Sequence, residues 1–351
     1  MILEGIATSD WHLCGLDKHF HDAVTRQLHE VDKIYQYAVA NGVQHVFVPG
    51  DISDTPHMPY DVYIALVLFL KKYDGIINTH YILGNHDFSD TRKTSMDLLH
   101  VLCEQGMFES FHMHMKMERM KIDGCRVNFL PYPCLEAPHG KPSLNFTHVE
   151  YNGAVGDNGR KLRVKDEFVQ RESDFNVSGH IHQYQVLKKQ CAVYCGNPYQ
   201  KNFGERLPKG FIHFKARSSG RRVEFKHKFV DNKPDFQLVN AVVKSREDLG
   251  RLSSSDAIRY KLWMSPEVEM PKDLRLRFPN ITGGIFDLES KEKKVEEAVA
   301  AAQTQQRRSV NIMSGLPGFL RKAGFKKRSI REAKDIVRQA ANELGIQMNL
   351  G

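Results

Sequence analysis

Aspartate, asparagine and histidine side chains recur in five short motifs within the first 182 residues of the chain. The motifs are Ser9-Asp10-Trp11-His12, Gly50-Asp51-Ile52-Ser53-Asp54, Gly84-Asn85-His86-Asp87, Phe146-Thr147-His148 and Ser178-Gly179-His180-Ile181-His182. Each motif follows an apolar segment of the length of a β-strand. Functional groups in an α/β sheet gather beyond the carboxyl ends of the strands, so we expect all five motifs to meet in one crevice.

The side chains of these motifs have the chemistry of metal ligands. Carboxylate and amide oxygens mixed with imidazole nitrogens suit Mn²⁺, Fe²⁺ or Zn²⁺ better than Mg²⁺ or Ca²⁺. No thiolate is among them, which argues against a structural zinc site. The candidate ligands are Asp10, His12, Asp51, Asn85, His148, His180 and His182. Seven ligands suffice for two ions that share a carboxylate, and ions about 3.5–4 Å apart suit in-line displacement at phosphorus.

Each motif alone also has an ordinary structural interpretation. An Asp-x-His segment at a strand end can be a turn with a capping aspartate, and Gly84-Asn85 favours a turn with positive φ. The pair His180 and His182 could lie on one face of an exposed strand. The joint occurrence of all five motifs, each at a strand end, favours the metal site.

The segments between the motifs predict an α/β fold. Strand-like runs at Ile2–Ala7, His45–Pro49 and Ile76–Leu83 alternate with helical patterns at His21–Ala40 and Tyr60–Lys72. This alternation is typical of βαβ units with a largely parallel sheet, whose faces the helices cover.

From about residue 110 the pattern becomes rich in strands. We predict strands at Phe111–Lys121, Arg126–Pro131, Leu144–His148, Phe175–Ser178, Ala192–Cys195, Gly210–Lys215 and Arg222–Val230. A βα half followed by a β half suits a two-sheet sandwich flanked by helices. His112 and His114 alternate with methionines, so we expect them on a strand with one exposed face rather than in a metal site.

The last third of the chain has a different organisation. Residues 233–290 are interrupted by prolines and predict a small α+β module with a strand at Ile258–Met264, and residues 291–313 form a polar linker or helix. Residues 314–351 predict a helix–loop–helix tail, in which Ser329 and Glu332 form a capping box before an amphipathic helix.

Most of the excess positive charge lies in this C-terminal part. Residues 291–351 hold 13 Lys+Arg and 6 Asp+Glu, whereas the other 290 residues hold 37 and 36. Such a block suggests a polyanion or an acidic protein surface as partner, although a solvated basic helix would have the same composition.

Asp10-x-His12, Gly50-Asp51-x-x-Asp54, Gly84-Asn85-His86-Asp87, His148 and Gly179-His180-x-His182 resemble the signature of calcineurin-like metallophosphoesterases. The resemblance covers residues 1–232, which we take as one nuclease domain. Within that superfamily the chain is similar to the SbcD-type nuclease of DNA repair and recombination. Supporting segments are Phe129-Leu130-Pro131-Tyr132, Glu150 and Asn152-Gly153 after His148, Tyr194-Cys195-Gly196-Asn197-Pro198 and Phe203-Gly204-Glu205. Thr147 stands where many relatives have glycine, and residues 235–351 match in layout rather than motif.

The resemblance implies a role for each residue of the motifs. Asp10, His12, Asp51 and His182 would bind the first ion, and Asp51, Asn85, His148 and His180 the second. His86 would stabilise the transition state and protonate the departing sugar oxygen as general acid, with Asp54 orienting it. Asp87 would fix the loop that follows its strand.

The resemblance also implies an activity and partners. We expect a two-metal, Mn²⁺-dependent DNA exonuclease and endonuclease that acts on double-stranded ends and on single-stranded DNA. Its partner would be an SbcC-type coiled-coil ABC ATPase bound to residues 314–351, and it would form a homodimer through helices of the first half. The alternatives are a phosphatase or small-substrate phosphodiesterase on the same dinuclear core, and a non-catalytic DNA-end scaffold. Thr55-Pro56 after Asp54 argues against a protein phosphatase, which has Arg-Gly there.

The remaining composition predicts the compartment. No apolar run has the length of a membrane span, and the N-terminal segment lacks the pattern of a secretory signal. The six cysteines are scattered and form no CxxC pair. We therefore expect a cytoplasmic protein of a bacterial or phage-infected cell, with reduced thiols and no membrane partner.

Overall fold

The computed structural model describes residues 2–157, 159–165, 167–206 and 208–288. The chain divides into two compact units. The larger comprises Met1–Ala241, Glu247–Leu262 and Met270–Ile285, and the described part of the smaller comprises residues 242–246, 263–269 and 286–288. The predicted tail, 314–351, and the predicted linker, 291–313, lie outside the described residues.

Fifteen strands and five helices form the described structure. The strands are β1 (Leu3–Ala7), β2 (His45–Pro49), β3 (Asn78–Ile82), β4 (Phe111–His114), β5 (Glu118–Ile122), β6 (Cys125–Leu130), β7 (Leu144–Thr147), β8 (Phe175–Ser178), β9 (Gln185–Leu187), β10 (Ala192–Tyr194), β11 (Gly210–Ser218), β12 (Val223–Asp231), β13 (Gln237–Val243), β14 (Ile258–Met264) and β15 (Ile285–Asp287). The helices are α1 (Ala23–Ala40), α2 (Tyr60–Tyr73), α3 (Ser95–Glu104), α4 (Arg246–Gly250) and α5 (Leu274–Arg277).

Two six-stranded mixed sheets form the body of the larger unit, which confirms the predicted α/β sandwich. The first has the order β12-β11-β1-β2-β3-β4, with β1 to β4 parallel and β11 and β12 antiparallel at one edge. The second has the order β5-β6-β7-β8-β10-β9, and its four central strands are parallel. The carboxyl ends of β1 to β3 and of β7 and β8 therefore form two rims on which a site can be built.

Side-chain alternation in β2 shows how the layers are held together. Val46 and Val48 pack with the helix-facing core that includes Ile34 of α1 and Leu66 of α2. Phe47 points to the other face and stacks on Phe146 of the second sheet, with ring centroids 4.2 Å apart. Because both faces are covered, the strand is apolar from Val46 to Pro49, as parallel strands usually are.

A third sheet has the order β13-β14-β15 and accompanies the short helices α4 and α5. The predicted strand Ile258–Met264 is confirmed with the same bounds. Among the described residues, no helix combines the length and the apolar character needed to cross a bilayer.

Two local predictions differ from the structure. The single predicted strand Phe111–Lys121 is two strands, because the chain leaves the first sheet after β4 and enters the second at β5. Helix α3 was not predicted, although Thr94 and Asp97 form a capping box at its start, where the Thr94 hydroxyl accepts from the Asp97 N–H and the Asp97 carboxylate accepts from the Thr94 N–H.

His114 is also placed differently from the expectation of an exposed strand face. Its side chain is buried between the sheets and stacks on Phe129, with ring centroids 3.7 Å apart. His80 of β3 is buried beside it, with its Nδ1 3.3 Å from His114 Nε2. A pattern of alternating histidines can therefore belong to the sandwich core.

Candidate metal centre

The five motifs follow the carboxyl ends of β1, β2, β3, β7 and β8, and the structure brings them into one crevice. Backbone hydrogen bonds join the first two loops: the Asp10 N–H donates to the Gly50 carbonyl at 3.1 Å, and the His12 N–H donates to the Asp51 carbonyl at 3.0 Å. A third link crosses the sandwich, since the His180 N–H donates to Asp10 Oδ1 at 3.0 Å. All seven candidate ligands lie around the space between these loops.

Several ligand residues have an unusual backbone conformation. Asp10, His12, Asp51 and His180 have φ values of 56°, 44°, 56° and 84°, in the left-handed region that non-glycine residues rarely adopt. Each such residue costs on the order of 1–3 kcal/mol, which the surrounding packing must offset. Strain of this kind clusters at functional sites, and here it turns the ligand side chains toward one another.

Glycines in the motifs allow this close approach. A Cβ on Gly84 would lie 2.0 Å from Asp51 Oδ1, and one on Gly50 would lie 2.1 Å from His148 Nδ1. Gly50 also has a φ of 94°. No larger residue fits at either position without moving a candidate ligand.

The first group of ligand atoms belongs to Asp10, His12 and His182. The Nε2 atoms of the two histidines lie 3.0 Å apart, and Asp10 Oδ1 lies 4.0 Å from each of them. Asp51 Oδ2 is 3.7 Å from His12 Nε2. These are the four residues expected for the first ion.

The second group belongs to Asp51, Asn85, His148 and His180. His148 Nε2 lies 3.2 Å from Asp51 Oδ2 and 3.0 Å from Asn85 Oδ1. His180 Nδ1 lies 2.8 Å from the same Asn85 oxygen. Asp51 thus lies within reach of both groups, the position of a shared ligand.

The outer ring nitrogens of four histidines lie against acceptors. His148 Nδ1 donates to the Pro49 carbonyl at 2.8 Å, and His180 Nε2 to Glu150 Oε1 at 3.1 Å. His182 Nδ1 donates to Glu205 Oε1 at 2.9 Å. His12 Nδ1 likewise has the Asp54 carboxylate at 3.2 Å. Each partner orients its ring so that the other nitrogen is directed into the crevice, as the second ring nitrogen of a metal-binding histidine usually does.

The inner ring nitrogens and the ligand oxygens face one another across the crevice at distances of 2.8 to 4.0 Å. Ligand bonds of about 2.1 Å at right angles place neighbouring ligand atoms about 3 Å apart, so the shorter of these spacings suit octahedral coordination. The donor set fits two divalent cations.

Without a bound cation, the electrostatics of the crevice leave His12 neutral and His148 and His182 protonated at pH 7. Burial lowers the pKa of His12 to about 4, so the ring is neutral at pH 7. Burial alone would raise the pKa of Asp51, but His148 and His12 hold it well below its usual value. Burial would lower the pKa of His148, yet the Asp51 charge raises it to about 9. A cation beside Asp51 would replace that proton, because metal ligands must be deprotonated.

His86 lies at the edge of the crevice, outside the two ligand groups just described, although a ring nitrogen of His86 lies within 4.8 Å of ligand atoms of His12 and Asp51. Its N–H donates to Asp51 Oδ1 at 2.9 Å, and its ring meets that of His12 edge-on with centroids 4.6 Å apart. Its Nδ1 lies 2.7 Å from the backbone carbonyl of Asp54. The main-chain carbonyl of Asp54 thus contacts His86. The Asp54 carboxylate instead contacts His12 and lies 2.6 Å from Lys201 Nζ.

Asp87 fixes the loops around the site, as predicted. Its buried carboxylate accepts from the backbone N–H groups of Asp51, Ser53 and Gly84 at 2.7, 2.8 and 3.0 Å. Burial and the nearby Asp51 charge raise the pKa of Asp87. These bonds hold the second and third motifs in register.

Sequence reasoning missed the residues that support His182. Glu205 is buried, and besides His182 it pairs with buried Lys209 at 2.7 Å and accepts from Asn197 Nδ2 at 3.1 Å. Asp157 Oδ2 lies 2.9 Å from the same His182 Nδ1. The segment Phe203-Gly204-Glu205 is visible in the sequence, but nothing in it indicates contact with a histidine 23 residues away.

A model of the calcineurin-like phosphoesterase family matches residues 6–184, just over half of the chain. The 86 matching chains of solved structures include a conserved uncharacterised protein from Streptococcus pneumoniae TIGR4, described as a predicted phosphoesterase. It is 14% identical, with 67% of this chain and 92% of that chain covered and a TM-score of 0.30. No curated protein sequence matches the chain.

Proposed function

This chain belongs to the calcineurin-like phosphoesterase family, and on that premise we propose that it is a divalent-metal-dependent nuclease that hydrolyses phosphodiester bonds of DNA. The proposal includes exonuclease and endonuclease activity with Mn²⁺ as cofactor. It also includes a role with an SbcC-type ATPase in DNA double-strand-break repair and recombination. The resemblance of the motifs to SbcD-type nucleases supports this narrower function within the phosphoesterases.

The observation that carries the catalytic proposal is the inward-facing set of candidate metal ligands. Asp51 Oδ2 lies 3.7 Å from His12 Nε2 in one group and 3.2 Å from His148 Nε2 in the other. Two cations held by these groups would share Asp51 and supply Lewis acidity to the phosphoryl group and to the attacking water. A non-catalytic scaffold would not need this strained and fully assembled ligand set.

The chain's own residues then position the ligands and move the leaving-group proton. Glu205 and the Pro49 carbonyl hold the rings of His182 and His148 with their Nε2 atoms directed inward. His86 is held at Nδ1 by the Asp54 carbonyl, which leaves Nε2 free to carry a proton to the departing oxygen. A positive charge at that nitrogen also offsets the charge that develops on phosphorus.

The charge distribution supports a nucleic acid as substrate or neighbour. Residues 291–351 carry 13 Lys+Arg against 6 Asp+Glu, and phosphate backbones attract such segments. Thr55-Pro56 follows Asp54 where a protein phosphatase would have Arg-Gly. Both features favour a nuclease over a phosphatase on the same metal core.

The test is a nuclease assay with metal analysis on the purified full-length protein. We expect Mn²⁺ to support degradation of linear duplex DNA and of single strands, and a chelator to stop it. Hydrolysis of bis-p-nitrophenyl phosphate without any cleavage of DNA would replace the proposal with a small-substrate phosphodiesterase. If no divalent cation supports hydrolysis of either substrate, the non-catalytic DNA-end scaffold replaces the enzyme proposal.

We further propose that residues 314–351 bind the ATPase subunit, as the resemblance implies. Deleting this segment should release the ATPase in a pull-down and spare hydrolysis of bis-p-nitrophenyl phosphate by the metal centre. Unchanged retention of the ATPase would refute the assignment.

A homodimer through α2 is the third part of the proposal. Tyr60, Ile64 and Leu68 are 87%, 56% and 64% exposed, and their spacing of four places them along one face of the helix. An apolar stripe of this kind on a surface helix is typical of an interaction site. A second copy of the helix presents the same stripe, so a two-fold pairing would cover both.

A further inference from the structure

A small cavity of about 190 Å³ lies at the β5 edge of the second sheet, away from the metal centre. Arg119 of β5, Arg126 of β6, and His139 and Lys141 of the loop before β7 contribute to its lining. Met120 and Val127 also contribute to the lining. We call this feature the cationic cleft.

The positive charges of the cleft are held in place but not neutralised. Arg126 donates from Nε to the Pro142 carbonyl at 2.9 Å and from Nη2 to the Ser219 carbonyl at 3.0 Å. Arg119 Nη1 donates to the His139 carbonyl at 3.2 Å. Carbonyl groups order a guanidinium without cancelling its charge.

No carboxylate lines the cleft among the residues that the structure describes. The nearby Asp174 carboxylate accepts from the Ser143 N–H at 2.9 Å, but it is paired with Arg171 at 2.8 Å. The exposed Glu136 carboxylate lies 3.7 Å from His139 Nε2. Arg119, Arg126 and Lys141 therefore keep a local charge of about +3.

The turn between β11 and β12 extends this charge. Its Ser219 carbonyl accepts the Arg126 bond, and the exposed Arg221 and Arg222 follow within three residues. The first 290 residues hold 37 Lys+Arg against 36 Asp+Glu. Five cations beside one cleft are thus a local concentration and not a consequence of composition.

The chemistry and the size of the cleft define its ligand. Ordered guanidinium groups match the geometry of phosphate oxygens. A cavity of about 190 Å³ is below the roughly 300–1,000 Å³ of sites that enclose a drug-sized ligand. We propose that the cationic cleft binds phosphate groups of a nucleic-acid strand, as a second contact separate from the metal centre; this inference rests on the proposed nuclease function.

The topology sets the distance between the two sites. Arg126 and Ser143 stand at or before the amino ends of the parallel strands β6 and β7, whereas His148 follows the carboxyl end of β7. At about 3.3 Å per residue, Ser143 and His148 are about 17 Å apart. At the rise of about 3.4 Å per nucleotide of a stacked strand, this separation corresponds to about five nucleotides beyond the scissile bond.

The test measures binding separately from cleavage. Full-length, Mn²⁺-loaded protein is titrated into a labelled single strand of about 20 nucleotides with hydrolysis-resistant phosphorothioate linkages. Arg119→Glu with Lys141→Glu should weaken binding about tenfold or more and reduce the salt slope by about two. Both side chains are exposed, so the double variant should fold. Hydrolysis of bis-p-nitrophenyl phosphate should not change.

Lys188→Glu with Lys189→Glu provides a matched control, because these exposed lysines carry the same charge at the opposite, β9 edge of the sheet. Equal affinity and salt slope in the cleft variant and the wild type would overturn the inference. So would inorganic phosphate or a mononucleotide that binds at the cleft while the oligonucleotide does not.

The two proposals can fail separately. If the wild type binds the oligonucleotide through the cleft but does not cleave DNA, the nuclease proposal alone is rejected. If the wild type cleaves DNA and the charge reversals in the cleft do not change its affinity for the oligonucleotide, this inference alone is rejected.

Discussion

The Nε2 atoms of His12 and His182 lie 3.0 Å apart although 170 positions separate the two residues. The outer nitrogens of both rings face carboxylates, Asp54 for His12 and Glu205 for His182. Burial would lower the pKa of His182, but Glu205 and Asp157 raise it to about 10, whereas burial lowers the pKa of His12 to about 4. Without a cation, a proton of His182 therefore joins the two rings at neutral pH. Cation binding must displace this proton, so the two are thermodynamically linked.

This relationship predicts the number of ions that each ligand variant retains. The wild type should bind two Mn²⁺ per chain, whereas His12→Ala should keep only the ion of the other group. Asp51→Asn should lose both ions, because Asp51 lies within 3.7 Å of His12 Nε2 and 3.2 Å of His148 Nε2. Elemental analysis after equilibrium dialysis measures the stoichiometry. Two ions retained by Asp51→Asn would contradict the shared position.

His86→Ala should lower the rate of DNA cleavage by about 10²–10⁴-fold, the usual contribution of a positioned acid. The Mn²⁺ stoichiometry should stay unchanged, since the two ligand groups do not include this ring. Exposed His57→Ala is the matched control. Single-turnover rates at saturating Mn²⁺ make the comparison. A variant that cleaves at the wild-type rate would remove His86 from the mechanism.

Glu205→Gln should weaken Mn²⁺ binding by about 10–100-fold, because the carboxylate orients His182 and fixes its tautomer. It should also cost about 3–5 kcal/mol of stability, since Lys209 would remain buried without its partner. Asp157→Asn leaves that ion pair intact and separates the two effects. Calorimetric titration with Mn²⁺ and urea unfolding measure them. An unaltered Mn²⁺ affinity in Glu205→Gln would exclude a positioning role.

The buried histidines between the sheets predict a loss of stability in acid. Burial lowers the pKa of His80 and of His114 below 6.5 in the folded state. The unfolded chain therefore binds more protons below pH 6.5, so the free energy of unfolding falls as the pH decreases from about 6.5. Above that pH both rings are neutral in the folded and in the unfolded chain, so their contribution to the free energy of unfolding no longer changes with pH.

His80→Phe tests this dependence. The new ring can stack between Phe47 and Phe129, which now lie 5.1 and 5.3 Å from His80. The slope of unfolding free energy against pH should decrease by up to about 1.4 kcal/mol per pH unit between pH 6 and 5. Urea denaturation at several pH values measures it, with exposed His57→Gln as control. An unchanged slope would show that His80 does not titrate with unfolding.

Ile64→Glu with Leu68→Glu should convert the proposed homodimer to monomers, because two charges would be buried against the same face of the second copy. Val169→Glu makes the same chemical change at an exposed position outside α2 and should leave the dimer intact. Sedimentation equilibrium gives the masses. A wild type that is already monomeric, or a double variant that remains dimeric, would exclude this interface.

The sequence predicted the bounds of the helices and strands near the site with good accuracy. Strand β2 has the predicted bounds and α1 begins two residues after the predicted start. These elements carry strong local patterns, since β2 is apolar on both faces and α1 has one apolar stripe. The single run predicted from Phe111 to Lys121 was wrong, because local alternation does not show that a chain changes sheets at residues 115–117.

By itself the sequence determined the ligand types and their positions after strands, because both depend on neighbouring residues and on the rule that parallel strands end at one rim. Only the tertiary structure decided what supports those ligands. The Glu205 carboxylate behind His182, the Asp54 carbonyl at His86 and the unpaired arginines of the cationic cleft all depend on segments far apart in the chain. Such contacts are set by how two sheets pack, and no local pattern of residues specifies them.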